Sequence, residues 1–180
     1  MFINTKKEKG YTLIELVVSI ALIGIVSTLL ASVMVSIMGI LKENRVKKEL
    51  LLDGYNAAAK FVREFELITD ESDLHIGNSN QILFDTTIDG LVYSIQYQIS
   101  GNELQRSVGM GLPVTVCSNV SGSFEYYQKN HTQLSAPLSN PQLSIVRRVR
   151  LILTMSAGAL SYTYTADAFP ENYRFSGGGS

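Results

Sequence analysis

The sequence predicts an α+β protein in which one long N-terminal helix, apolar in its first half and amphipathic in its second, packs on an antiparallel β-sheet. Three observations lead to this prediction. A run of 26 residues from Leu16 to Leu41 carries no charge. Apolar residues then recur at helical spacing, and beyond Ser72 the pattern changes to the alternation of apolar and polar residues that is typical of strands.

The uncharged run is long enough to cross a membrane. As a helix, its 26 residues would span about 39 Å, compared with about 30 Å for the hydrocarbon core of a bilayer. Fifteen of them are Leu, Ile or Val, which together favour insertion by about 5–9 kcal/mol. The run continues without a break past Ala31, which argues against an ordinary cleaved secretory signal. We therefore predict a membrane-spanning helix over residues 11–41, whose orientation the flanking three and four basic residues do not fix.

The helix is predicted to continue through residues 42–72 as an amphipathic segment. Its apolar stripe is spaced by four, three, four and three residues and consists of Leu51, Tyr55, Ala58, Val62 and Phe65. The stripe is widened by Leu50, Ala59, Phe61 and Ile68. We expect one helix from about Thr12 to Leu67, with a weak point at Gly54, whose apolar stripe packs on the sheet.

Residues 73–175 are predicted to form the head, an antiparallel meander of six or seven strands. The clearest strand alternates apolar and polar residues from Leu91 to Ile99 and follows a tight turn at Asp89-Gly90. Residues 128–144 are polar, contain two prolines and are interpreted as a long surface loop. The glycine-rich residues 176–180 have the composition of a flexible tail.

No enzyme, metal or cofactor site is predicted. Cys117 is the one cysteine, and His75 and His131 are far apart in the sequence, without neighbouring ligands at metal-site spacing. A glycine pair at residues 109–111 lacks the third glycine of a dinucleotide loop. The acidic residues between 64 and 73 are interpreted as a solvated helix end, since they lack the spacing of a calcium loop.

The charge balance also argues against nucleic-acid binding. The chain has 15 Lys and Arg against 16 Asp and Glu, so no basic field would steer it to a polyanion. Arg147, Arg148 and Arg150 form the one basic group that needs a separate interpretation, and we expect a solvated face or a contact between subunits. Nucleic acid is therefore not expected as a partner.

The most specific motif lies at the start of the chain, where residues 6–16 read Lys-Lys-Glu-Lys-Gly-Tyr-Thr-Leu-Ile-Glu-Leu. This string resembles the processing site of type IV prepilins and type II secretion pseudopilins. The resemblance implies that a prepilin peptidase cuts between Gly10 and Tyr11 and methylates the new amino group on Tyr11. It also implies that residues 1–10, with Lys6, Lys7 and Lys9, form a cytoplasmic leader, whereas the head lies outside the cytoplasm. Tyr11 replaces the Phe that is usual at this position.

Glu15 lies one helical turn beyond Tyr11 and is predicted to act in assembly. Cleavage would give Tyr11 an α-amino group with an ordinary pKa of about 7.7–8.0, which is largely cationic near neutral pH. A carboxylate in hydrocarbon is costly and normally finds a partner. The amine of a neighbouring subunit is one candidate, and the four-residue spacing also allows the amine of the same chain.

The order of elements in the head resembles J-type minor pseudopilins and related minor pilins, on residues 61–65, 91–106, 147–151 and 169–173. Together the two resemblances imply a non-enzymatic minor pilin or pseudopilin. It would be held in the bacterial inner membrane, would meet an assembly platform there, and would then enter a pilus or pseudopilus with other subunits. The alternative is a single-pass anchored module whose head binds a ligand and never polymerises. The sequence does not distinguish secretion, pilus and DNA-uptake systems.

Overall fold

A computed structural model describes residues 12–170, and the chain divides into two compact units between Arg45 and Val46. Helix α1 runs from Leu13 to Phe65 and contributes residues to both units. Nine strands follow in the described part of the chain: β1 Leu74–Gly77, β2 Gln81–Ile88, β3 Leu91–Ser100, β4 Glu103–Val108, β5 Val114–Ser118, β6 Val120–Tyr127, β7 Gln133–Leu134, β8 Arg148–Ala157 and β9 Leu160–Ala168. Short 3-10 helices cover Glu71–Asp73 and Gln142–Ile145.

The first unit consists, where it is described, of the apolar part of α1. Every large apolar side chain from Leu13, which is 82% exposed, to Leu41, which is 62% exposed, lies open on the helix surface. Among the described residues, α1 is the one helix whose length and composition would allow it to cross a membrane, and its most apolar window has a mean hydropathy of 2.5. An isolated helix with such a surface requires lipid or other helices around it.

The second unit contains two antiparallel sheets and the remainder of α1. The first sheet has the order β1-β2-β3-β4-β5 and the second has the order β7-β6-β8-β9. Within this unit α1 packs on the sheets through its buried residues, which are Leu50, Gly54, Ala57, Ala58, Phe61 and Phe65. The α+β class and the single long helix are therefore confirmed.

The predicted single meander of six or seven strands is wrong in its number of strands and sheets. Strands β1 and β7 have four and two residues, too few for alternation to be visible in the sequence. Strand β7 also interrupts the predicted loop over residues 128–144. The chain leaves the first sheet at Asn119, whose φ of 56° turns the backbone between β5 and β6. Because Asn tolerates this left-handed conformation, the redirection needs no glycine.

The helix face that meets the sheets agrees with the predicted one at Ala58, Phe61 and Phe65 and differs from it at the start of the stripe. Leu51 and Tyr55 are 41% and 54% exposed, whereas Gly54 and Ala57 are buried. At this level of the helix the predicted stripe consisted of the larger residues, but close packing selects Gly54 and Ala57. A side chain at Gly54 would overlap the sulfur of Met155, so this glycine is a point of close approach in a continuous helix and not a weak point.

Phe61 joins the helix to both sheets. Its ring lies 5.3 Å from the ring of Tyr97 in β3 and 5.5 Å from that of Phe124 in β6, centroid to centroid. Phe65 and Phe84 complete the aromatic group, and all five side chains are almost fully buried. Nearby, the Glu64 carboxylate accepts hydrogen bonds from the Tyr97 hydroxyl at 2.7 Å and from Arg106 Nε at 2.8 Å. These contacts fix the end of α1 against the first sheet.

Candidate functional site

Glu15 is the only ionisable residue in the described chain before Lys42. It lies in the first turn of α1, among exposed apolar neighbours such as Leu13, Ile14 and Leu16. The next basic residue of the described segment is 27 positions further along, which is about 40 Å of helix. Within the first unit as described, the carboxylate therefore has no cationic side chain in reach.

The Glu15 carboxylate points back toward the start of the helix. Its Oε2 lies 3.4 Å from the backbone nitrogen of Thr12 and 3.4 Å from the Thr12 hydroxyl, both of which donate to it. Thr12 precedes the helix, and its carbonyl accepts hydrogen bonds from Glu15 N at 3.1 Å and Leu16 N at 3.2 Å. This arrangement is half of a capping box, in which a Glu at the third helical position satisfies the backbone of the N-cap residue.

The sequence contained the signal for this cap, since Thr-x-x-Glu before an apolar run is the capping-box pattern. Sequence reasoning assigned Glu15 to assembly alone and missed Thr12. The two roles are compatible in position because both direct the carboxylate to the N-terminal end of the helix, where the helix dipole also favours negative charge. The other predicted site residues, Lys6, Lys7, Lys9, Gly10 and Tyr11, lie outside the described residues.

Residues 5–31 match a family model described as the prokaryotic N-terminal methylation motif. The match includes Gly10, Tyr11 and Glu15. The N-terminus is type IV prepilin-like. The motif indicates processing of the type IV pilin and pseudopilin kind by a prepilin peptidase, and together with the exposed apolar helix it supports anchoring in a membrane. A search of curated proteins found no match for the chain.

A prepilin-like protein of this kind is generally a structural subunit, and in the head the Asp85 carboxylate has structural partners. Asp85 accepts a hydrogen bond from the hydroxyl of Ser94 and lies 2.9 Å from Nε2 of His75. Burial acts to raise the pKa of Asp85, but the bonds from Ser94 and His75 outweigh it and lower the pKa. The serine donates to the carboxylate and not to the imidazole, so the three residues do not form a nucleophile and base.

The acidic residues near the helix end are engaged within the head. Asp73 accepts from the backbone nitrogen of Asp70 at 2.8 Å, and Asp70 accepts from Ser72 N at 2.8 Å, so the two carboxylates cap a 3-10 helix. Glu71 pairs with Arg147 at 2.7 Å. Between residues 12 and 170, no cluster of three or more His, Cys, Asp or Glu side chains has the geometry to hold a metal ion.

The predicted basic group is also engaged within the head. Arg150 forms two hydrogen bonds to Asp167, at 2.9 Å and 3.2 Å, and Arg148 stacks 4.1 Å from the centroid of the Tyr127 ring. The bonds from Arg150 hold the pKa of the Asp167 carboxyl below its usual value. These arginines act as links between neighbouring strands of the second sheet.

Cys117 is 4% exposed in β5, as expected for a small hydrophobic residue in a strand. Burial, with a smaller contribution from Asp53, raises the pKa of its thiol. The thiol is consequently held in its protonated, less reactive form.

Proposed function

We propose that this protein is a minor pilin or pseudopilin: a structural subunit that is stored in the inner membrane and assembled through its N-terminal helix. In this proposal residues 1–10 are the leader, residues 11–41 form the membrane and filament-core helix, residues 42–72 continue it, and residues 73–175 form the head. The observation that carries the proposal is the lone Glu15 on the first turn of α1, in the otherwise uncharged, exposed part of the helix over residues 13–41 and within the matched methylation motif.

The energetics explain why the carboxylate is tolerated in the stored form. Fifteen Leu, Ile and Val side chains favour membrane insertion by about 5–9 kcal/mol, whereas one carboxylate costs at most about 3.5 kcal/mol and less near the interface. Insertion is therefore favoured without any partner for Glu15. A partner becomes valuable when helices leave the lipid and pack together, since an unpaired carboxylate between apolar helices is costly.

The partner that we propose is the amino group of Tyr11 in a neighbouring subunit, released by cleavage after Gly10. The orientation of the carboxylate toward Thr12 supports a partner at the N-terminal end of the helix. The same orientation is compatible with pairing inside one chain, so the experiment has to separate charge pairing from helix capping.

Glu15→Gln separates the two roles. Glutamine keeps an oxygen that can accept from the Thr12 nitrogen, but it has no charge to attract an amine. Thr12→Val is the matched control, because it removes the hydroxyl that donates to Glu15 and leaves the carboxylate intact. The full chain would be expressed in cells with an active prepilin peptidase, and intact mass, membrane insertion and recovery in filaments or subunit complexes would be measured for each variant.

We expect all three proteins to begin at Tyr11 and to be one methyl group heavier than the cleaved chain. Glu15→Gln should insert normally and be lost from assemblies, whereas Thr12→Val should assemble. Assembly of Glu15→Gln at the wild-type level would contradict the charge-pairing proposal. A wild-type chain that still begins at Met1 would contradict processing itself.

A non-polymerising, membrane-anchored binding module is the second candidate. Exposed apolar side chains at the β4–β5 loop favour it, since Met110 is fully exposed and Leu112 is 89% exposed. Such residues are typical of contact surfaces. In this case Met110→Ser with Leu112→Ser should abolish ligand binding by the head, whereas Glu15→Gln should leave that binding unchanged. Loss of assembly with Glu15→Gln, and no effect of the Met110 and Leu112 changes, would favour the filament subunit.

A J-type position within the assembly is the finer part of the proposal. It is supported by the order of elements in residues 61–151, namely the aromatic helix end, the following hairpin and the arginine-headed late strand β8. Co-purification of the processed chain with other minor subunits, and its absence from the filament shaft, is the expected result. An even distribution along filaments would indicate a major subunit instead.

A further inference from the structure

The outer edge of β9 is the open edge of the second sheet. Among residues 12–170, β9 pairs with β8 on one side and has no strand on the other. An edge strand directs alternate backbone N–H and C=O groups away from the sheet, where they can pair with another strand. Soluble proteins normally protect such edges by short strands, bulges, prolines or lysines.

The other three sheet edges have this protection. Strand β1 has four residues and a register shift between Leu74 and Ile76, and β7 has two residues. Strand β5 has five residues and begins directly after Pro113. These short or irregular edges offer few consecutive backbone groups to a partner.

Strand β9 has none of these protective features. It has nine residues, and its pairing with β8 is uninterrupted from Val149↔Ala168 to Ala157↔Leu160. The strand contains no proline, lysine or arginine, and its one charged residue, Asp167, is neutralised by Arg150 at 2.9 Å. It is consequently the long, regular and uncharged edge on which a further strand would be stable.

The two faces of β9 differ in chemistry. Ser161, Thr163 and Thr165 are exposed on the outer face, whereas Tyr162 and Tyr164 point toward the helix side of the sheet. The Tyr162 ring lies 5.4 Å below the ammonium group of Lys47, and the Tyr164 ring meets that of Tyr55 edge to face at 6.2 Å. These contacts hold the tyrosines in place, so the strand presents a preformed edge.

We infer that the outer edge of β9 pairs antiparallel with β9 of a second copy of this chain, which joins two four-stranded sheets into one of eight strands. The argument is the self-complementarity of the strand. With the two-fold axis at the central Tyr164, Thr163 lies opposite Thr165 and Ser161 lies opposite Asp167 on the outer face. On the inner face, Tyr162 lies opposite Ala166, so a large residue faces a small one, and Tyr164 meets its own copy at the axis.

This arrangement opposes no like charges, and hydroxyl pairs across strands are favourable. A two-fold contact of one strand with itself is also the closed symmetry that homodimers most often use. The inference concerns the head and does not depend on processing or on Glu15, so it goes beyond the proposed function.

The test uses charge exchange on the outer face. Thr163→Lys with Thr165→Lys places lysine against lysine across the two-fold axis, and Thr163→Glu with Thr165→Glu places glutamate against glutamate. The matched control is Thr154→Lys with Ser156→Lys. These positions lie on the same face one strand inward, opposite Thr163 and Ser161 in β8, and do not reach the edge.

Self-association of the full chain in detergent micelles would be measured by energy transfer between separately labelled pools. We expect the wild type and the control to associate equally, and each edge variant alone to associate at least about tenfold more weakly, because like charges directly opposite are destabilising. Mixing the lysine variant with the glutamate variant should restore association, which a merely misfolded head could not do.

Three results would overturn the inference: association of the lysine variant at wild-type strength, a monomeric wild type, or failure of the mixture when both variants melt like the wild type. Hydrogen exchange supplies an independent measurement. The outward amides of β9 should exchange slowly in the wild type and rapidly in either edge variant alone. Slow exchange in a monomeric edge variant would overturn the inference, since the edge would then be protected within the chain itself.

Discussion

Replacing Phe61 by Ala tests whether this one helix residue holds the two sheets of the head together. The Phe61 ring is fully buried and contacts aromatic rings from three other elements: Phe84 in β2, Tyr97 in β3 and Phe124 in β6. A cavity at this point is walled by two sheets and the helix, so no single element can move to fill it.

The expected cost follows from this geometry. Phe→Ala substitutions in cores cost about 3–5 kcal/mol, and the cost increases with the volume of the cavity that remains. The aromatic pairs lost with the ring are each worth about 0.5–1.5 kcal/mol, part of which is already counted in the core value. We expect a loss of about 4–5 kcal/mol in the free energy of unfolding of the head. Phe61→Leu, which keeps most of the volume, should cost about 1–2 kcal/mol.

The assay is urea unfolding of the full chain in detergent. The chain has nine Tyr and no Trp, so tyrosine fluorescence reports mainly on the head, where seven of these tyrosines lie. With an m-value of about 1.5–2 kcal/mol/M, the midpoint for Phe61→Ala should fall by about 2–3 M. Tyr55→Ala is the control, since Tyr55 lies on the same helix but is 54% exposed and should cost at most about 1 kcal/mol. If Phe61→Ala and Tyr55→Ala lowered the midpoint equally, the joining role of Phe61 would be refuted.

Three further predictions concern the head. Gly122→Ala should destabilise the head by about 1–3 kcal/mol in thermal or urea unfolding, because the new methyl group would overlap the backbone carbonyl of Ile152, which is held in the β-sheet. An unchanged unfolding midpoint would show that β6 and β8 can move apart. Glu64→Ala should cost about 2–3 kcal/mol by leaving Arg106, with its 20% exposed side chain, without its carboxylate, whereas the double change with Arg106→Met should recover part of the loss. The pKa of Asp167 is lowered, chiefly by its hydrogen bonds with Arg150, so its contribution to stability is present above the unfolded pKa of about 3.9 and is lost as pH falls through the lower folded value. Asp167→Asn should therefore make the free energy of unfolding less dependent on pH in the acid range. An unchanged acid slope would contradict this assignment.

Much of the fold could be predicted because its signals are local. The hairpin from β2 to β3 follows from the alternation around Ile95 and from Asp89-Gly90, where positive φ values of 51° and 80° form the turn. The helix was predicted within about two residues of its observed bounds, Leu13 and Phe65. Strand β7 and the division into two sheets were missed, because a two-residue strand has no periodicity and a change of sheet depends on distant partners.

The candidate site was likewise predictable where its features are local in the sequence. The apolar run, its single carboxylate and the motif around Gly10 are properties of consecutive residues, so the sequence by itself determined the prepilin-like N-terminus. The capping of Thr12 by Glu15 also follows from consecutive residues, since Thr-x-x-Glu before an apolar run is the capping-box pattern. The network of Glu64, Tyr97 and Arg106 could not be predicted, since Glu64 lies in α1, 33 residues before Tyr97 and 42 before Arg106.

The two halves of α1, most of the strands and the chemistry of the N-terminus could be predicted from the sequence, because hydrophobic periodicity and local motifs depend only on near neighbours. Tertiary packing decides why Gly54 and Ala57, and not Leu51 and Tyr55, lie against the sheets and why Gly122 must be small. Among residues 12–170 it also decides which sheet edge is left open at β9. The physical reason is that packing is a property of pairs of surfaces. Whether a side chain fits against its neighbours, and whether a strand has a paired strand, depends on residues that are distant in the sequence and close only in the folded protein.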